Sequence, residues 1–147
     1  MGQTLRFSEE ARHAWRTAMS LARGQGERFI DTEHLLLAVL EDEGGVASRG
    51  LAATGVSATE VRRRLGGLNR ARAEREDSPP LSPTPEVLAV QRLAYREAAQ
   101  LGDPLIGPEH LLLGLSGHRR GLARRILIEG LGLTVSVLRQ GVSSARN

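Results

Sequence analysis

From Ala11 to Ala22 the apolar positions Ala11, Ala14, Trp15, Ala18, Met19 and Ala22 recur at the i, i+3, i+4, i+7 spacing of an amphipathic helix. Ser8 supplies an N-cap for it and Gly24 a stop. A second stripe, Val87, Val90, Ala94, Ala98 and Leu101, starts at Thr84 with Pro85 in the favoured first helical position. Between about Thr32 and Glu41, Leu35, Leu36, Leu37, Val39 and Leu40 leave almost no polar face, which predicts a central helix buried nearly all round. Pro108 to Ser116 repeats that pattern. Third helices are expected over about Val46–Thr54 and Leu122–Glu129, and fourth helices carrying Val61 and Leu65 or Val135 and Leu138. Eight helices result, in two pseudo-equivalent four-helix bundles.

The two halves are copies of one unit. FIDTEHLLL, from Phe29 to Leu37, returns 76 residues later as LIGPEHLLL, from Leu105 to Leu113. The same offset aligns Ser8 with Thr84, Ala18 with Ala94, Ala22 with Ala98, Gly26 with Gly102, and the Gly45-Val46-Ala47 step with Gly121-Leu122-Ala123. Gly66 to Pro83, rich in glycine, proline and charge, reads as an exposed linker that is flexible at least in part. The predicted organisation is all-α: repeat one at about 7–66, a linker at about 67–83 and repeat two at about 84–142, packed as one domain over residues 1–147. The copies are unequal. The acidic Glu41-Asp42-Glu43 becomes Gly117, His118, Arg119 and Arg120, Pro83 stands where the first copy has Phe7, and one extra residue enters near Gly130-Leu131-Gly132.

Alanine, leucine, glutamate and arginine dominate over β-branched and aromatic residues, which reinforces the helical reading. Without cysteine there is no disulfide framework, thiolate metal site or cysteine nucleophile. No stretch approaches the roughly 20 apolar residues of a membrane span, and the first residues hold no signal-peptide core; a cytoplasmic protein with no membrane partner is expected. All 20 basic residues are arginines, yet the net charge is only +3 and acids are interspersed with them, so strong nucleic-acid binding is not implied. A small nucleic-acid-binding helical protein remains the alternative reading, supported only by the arginines and the high pI. The two Glu-His pairs lack the second histidine of a zinc-protease helix, no G-x-S-x-G turn occurs, and no G-x-x-x-x-G-K-[ST] loop is present. Neither a catalytic constellation nor a cofactor or metal site is expected.

Phe7-Ser8 with Ala11, Ile30 to Leu37 (IDTEHLLL), Gly45-Val46-Ala47 and Leu51 to Ser57 (LAATGVS), each with a second-copy counterpart, resemble the Clp N-terminal repeat domain of Clp-type protein unfoldases, of the ClpC/ClpA type. The match occurs twice at the expected spacing and covers nearly the whole chain. The resemblance implies an autonomously folded helical module, not an enzyme, that receives unfolded or marked protein substrates, adaptor proteins or a Clp unfoldase as partners. The missing phosphate-binding loop means that this chain does not hydrolyse ATP in the unfoldase manner. Its start at Met1 and its end without a following ATPase fit an excised domain or a separate small protein, and the drift of the second copy favours the latter. A decoy that modulates an unfoldase would need ligand affinity alone.

Some relatives recognise phosphorylated arginine through the glutamate of the T-E-H motif, which carries over to Glu33 and Glu109, with Thr32, His34 and His110 beside them. A carboxylate can pair with a guanidinium through two charge-assisted hydrogen bonds, while N–H groups at the same helix start attract phosphate. The plainer alternative is that Glu33 and Glu109 complement the helix dipole, worth about 0.3–1 kcal/mol when exposed. Pro108 in place of Thr32 removes a hydroxyl, so two sites would be unequal. His34 and His110 read more simply as hydrogen-bonded helix-start residues than as metal ligands. The groove between the two first helices, a ligand site in some relatives, is expected to be reshaped by Pro83. Arg119, Arg120, Arg124 and Arg125 could dock an acidic adaptor or a neighbouring unfoldase, or form a solvated surface.

Overall fold

Residues 5–66 and 81–146 are described by the structure, a computed structural model. The expected linker, apart from its last three residues, lies outside them. A two-residue strand β1 (Arg6–Phe7) leads into helix α1 (Glu9–Gly24), followed by β2 (Phe29–Ile30), α2 (Thr32–Val39), α3 (Val46–Ala52) and α4 (Ala58–Arg64). The second half runs β3 (Ser82–Pro83), α5 (Pro85–Leu101), β4 (Leu105–Ile106), α6 (Pro108–Gly117), α7 (Leu122–Arg124) and α8 (Val135–Arg146). The chain is all-α apart from these short strands.

Capping sets the helix starts. Ser8 and Thr84 take extended backbone and accept from the N–H three residues on, at Ala11 (3.1 Å) and Val87 (3.2 Å). Small residues on the buried face of α1, Ala11, Ala14, Ala18 and Ala22, admit α2 closely. The central helices α2 and α6 carry the largest buried side chains, among them Leu35, Leu36, Leu111, Leu112 and Leu113. One contiguous core spans both halves.

The halves are packed as one body and are interlocked more closely than two pseudo-equivalent bundles side by side. The strand that opens each repeat pairs in parallel with the strand that precedes the central helix of the other: Phe7 lies opposite Ile106, and Ile30 opposite Pro83. The hydrogen bonds continue into the caps, Ser8 N–H to Ile106 O at 2.9 Å and Thr84 N–H to Ile30 O at 3.0 Å. Proline is tolerated at position 83 because the ladder bond comes from the next residue. The later helices cross over too: α3 packs on α8, and α4 touches the segment after α7. Each repeat thus completes the other's core.

That segment, Arg125–Gly130, is π-helical and absorbs the extra residue noted in the sequence. Beyond it the correspondence shifts by one, so Leu138 and Val142, both buried, match Val61 and Leu65, whereas Val135 is only half-buried. At the α3–α8 crossing two glycines let the backbones touch. A Cβ on Gly141 would overlap the Gly50 carbonyl oxygen, and one on Gly50 would come within 2.9 Å of Val142 Cγ2. Backbone cannot yield as a side-chain tip can, so Gly141→Ala is expected to cost about 1–3 kcal/mol in urea unfolding, the scale of overpacking; an unchanged midpoint would refute the contact.

Candidate functional site

The two E-H pairs open α2 and α6, and the histidines there are fasteners. Asp31 N–H donates to His34 Nδ1 at 2.9 Å, and Gly107 N–H to His110 Nδ1 at 2.8 Å. With Nδ1 accepting, the proton lies on Nε2, which donates to Gln25 Oε1 at 3.1 Å in the first repeat and to Asp103 Oδ2 at 2.7 Å in the second. Both rings are buried, and burial holds His34 below its ordinary pKa. Neither ring has a nitrogen left for a ligand. No group of three or more acidic or histidine side chains able to hold a metal occurs among the described residues.

Thr32 is also built into the fold. It is 1% exposed, and its hydroxyl accepts the Ala123 N–H at 3.3 Å, joining α2 to the start of α7. Of the N–H groups that precede the glutamates, none is left for a phosphate. Thr32 N–H goes to Asp31 Oδ1 at 2.8 Å, Gly107 N–H to His110, and Pro108 has none.

Glu33 and Glu109 are both half-buried. Burial first, then the neighbouring Asp31 and Glu27, hold the Glu33 carboxyl above its ordinary pKa. Glu109 folds back over Gly107, where a Cβ would overlap its Oε1. Among the described residues its carboxylate has no hydrogen-bond partner, though it feels the charge of Arg146.

Glu109 lines a groove of about 840 Å³, within the size range of ligand sites. The walls are the first turns of α1 and α3, the end of α2, and Asp103 to His110 of the second half. This is not the expected groove between the two first helices; repeat exchange places it between α1, α3 and the start of α6. Glu9, Glu10, Glu41, Asp42, Asp103 and Glu109 face three guanidinium groups, each already engaged. Arg16 pairs with Glu9, Arg49 donates to the Gly44 and Ala145 carbonyls, and Arg146 pairs with Asp103 at 2.6 Å, which holds Asp103 below its ordinary pKa. The groove is therefore acidic in a chain whose net charge is +3, a field that favours a cationic ligand.

The arginine cluster lies elsewhere. Arg119, Arg120 and Arg125 are exposed, whereas Arg124 donates to the Ser116 carbonyl at 3.3 Å and fastens α6 to α7. Many other arginines are neutralised in pairs, including Arg12 with Glu9, Arg62 with Glu43, Arg64 with Glu60, and Arg139 with Glu97.

Residues 6–129 match the family of the Clp repeat (R) N-terminal domain. The chain belongs to that family. It is 33% identical over 137 residues to the negative regulator of genetic competence ClpC/MecB of Bacillus subtilis, covering 93% of this chain and 16% of that protein. It is 36% identical over 141 residues to the chloroplastic chaperone protein ClpC2 of Oryza sativa, covering 93% and 15%. The chain thus spans about a sixth of the length of these curated relatives. Its fold is that of the N-terminal domain of the caseinolytic protease-associated chaperone ClpD from Arabidopsis thaliana (TM-score 0.67, 21% identity, 97% of this chain and 98% of that one). The Hsp104 N-terminal domain from Candida albicans shares it as well (TM-score 0.76, 17% identity, 97% and 92%). Among the described residues of this Clp repeat domain, no single helix is long and apolar enough to cross a membrane.

Asp103, Arg146 and Arg49 are site residues that sequence reasoning passed over. Asp103 meets Arg146, and Arg49 the Ala145 carbonyl, only through the fold, and nothing in the sequence around them signals either contact. The raised Glu33 pKa has a measurable consequence. The native state holds that proton more tightly than the unfolded chain, so the burden on stability is absent at low pH and sets in as pH rises from the ordinary glutamate value through the raised one. Glu33→Gln is expected to stabilise the domain at pH 7 by about 0.5 kcal/mol, the scale of like-charge repulsion, and to lose that gain below about pH 4. Thermal unfolding at the two pH values checks it; a destabilised variant at pH 7 would contradict it.

Proposed function

We propose that this chain is a non-catalytic polypeptide-binding module of Clp-type protein quality control, which takes an arginine side chain of a substrate or adaptor into the acidic groove at Glu109. One observation carries the reading: a half-buried carboxylate with no hydrogen-bond partner among the described residues, in a groove whose own cations are already spent. A guanidinium can meet it through two parallel charge-assisted bonds. Arginine phosphorylated as a degradation mark is the weaker fit to this groove, because its phosphoryl group makes the side chain net negative among carboxylates. The module could deliver such segments to an unfoldase, or compete with one for them, and needs no chemistry of its own. Arg119, Arg120 and Arg125 offer a separate basic face to an acidic partner such as an adaptor or the unfoldase.

Calorimetric titration with free phosphoarginine, and with a peptide carrying unmodified arginine, tests the reading. Saturable binding that weakens at least about tenfold in Glu109→Gln, a loss of about 1.4 kcal/mol, is the expected result. No saturable binding of either probe by the intact protein would refute it.

A further inference from the structure

We infer that this chain is a one-site receptor: the groove at Glu109 receives ligand, while its pseudo-symmetric twin at Glu33 is filled by the protein's own side chains. This rests on the polypeptide-binding reading and adds which half of the molecule binds. By symmetry alone both halves should offer a groove, since each central helix begins with the same Glu-His pair against the first and third helices of the pseudo-symmetric arrangement.

Two positions break that symmetry. The residues before Glu109 are Gly107 and Pro108, and those before Glu33 are Asp31 and Thr32. At α6 the Glu109 carboxylate occupies the space over Gly107 that any side chain there would take. At α2 that position bears Asp31, whose Oδ1 accepts both the Thr32 N–H at 2.8 Å and the Thr84 hydroxyl at 3.2 Å, tying the start of α2 to the start of α5. The matching Ser8 hydroxyl accepts from its own helix at Ala11 just as Thr84 accepts from Val87, but Gly107 has no side chain to which it could donate.

Thr32 closes the other wall. Its hydroxyl accepts the Ala123 N–H at 3.3 Å, and Gly121 comes so near that a Cβ there would lie 2.8 Å from Thr32 Oγ1. In the groove at Glu109 the equivalent of Ala123 is Ala47, and the equivalent of Thr32 is Pro108, which has no hydroxyl to offer it; both line the groove. The side chains that bridge three helix starts on one side of the molecule are thus missing on the other, and their absence leaves the groove open.

Gly107 is the decisive position. Its φ of −99° suits any residue, so aspartate can be introduced without backbone strain and can cap α6 as Asp31 caps α2. Gly107→Asp should therefore fold with a thermal midpoint no lower than the parent's, yet bind ligand at least about tenfold more weakly, because the new side chain displaces the Glu109 carboxylate.

The test is calorimetric titration of the intact protein with the peptide carrying unmodified arginine and with free phosphoarginine, reading the equivalents bound of whichever binds, for the parent, Glu109→Gln, Glu33→Gln and Gly107→Asp. The expected result is one equivalent, strong weakening in Glu109→Gln and Gly107→Asp, and affinity within about twofold of the parent in Glu33→Gln. Two equivalents, loss of binding through Glu33→Gln, or undiminished binding by a folded Gly107→Asp would overturn the one-site inference and leave the polypeptide-binding reading standing. Absence of binding by the parent, to phosphoarginine and to the arginine peptide alike, would overturn both.

Discussion

The exchange between the two repeats is the constraint on which the rest of the structure depends. Each opening strand is completed by the other repeat, and α3 lies against α8 at a crossing where Gly50 and Gly141 bring the backbones together. Strands of two residues and helices of seven cannot stand alone, since helices this short are marginal in water without tertiary packing. Burial across the pseudo-two-fold relation supplies that packing, and one apolar core results. The same exchange makes the groove, because its walls come from α1 and α3 of one repeat and the start of α6 of the other.

Within that frame, the two halves settle the same local problem differently. Every helix start leaves N–H groups to be satisfied. In the first repeat Asp31, Thr32 and His34 satisfy them and bridge to α5 and α7. In the second, Gly107 and Pro108 leave His110 alone to fasten the start of α6, supported by Asp103 and Arg146. The half with fewer such bonds at its helix start is the one whose groove holds a carboxylate without a hydrogen-bond partner among the described residues, the pattern expected of a binding site kept at some cost in stability.

Helix positions, caps and the repeat were legible in the sequence because they rest on local signals: apolar spacing, Ser8 and Thr84 as caps, and the returning EHLLL. The pairing of α3 with α8 was not, since apolar periodicity says that a face is buried but not against what. Which residues the fourth helix of the second repeat buries was only partly legible for a similar reason. The extra residue sits in a π-turn, and Val135 and Leu138 match a helical spacing as well as Leu138 and Val142 do. At the site, Glu109 stood out by its motif, whereas Thr32, His34 and His110 proved to be fasteners. Asp103, Arg49 and Arg146 came into view only once the last turn of α8 was seen beside the groove.

If the repeats complete one another, neither should fold alone. Residues 1–66 on their own, followed by far-ultraviolet circular dichroism through a urea titration, test this directly. Little helix and no cooperative transition are expected, with both restored when residues 67–147 are added. A cooperatively folded, helical fragment without its partner would contradict the interlocked core.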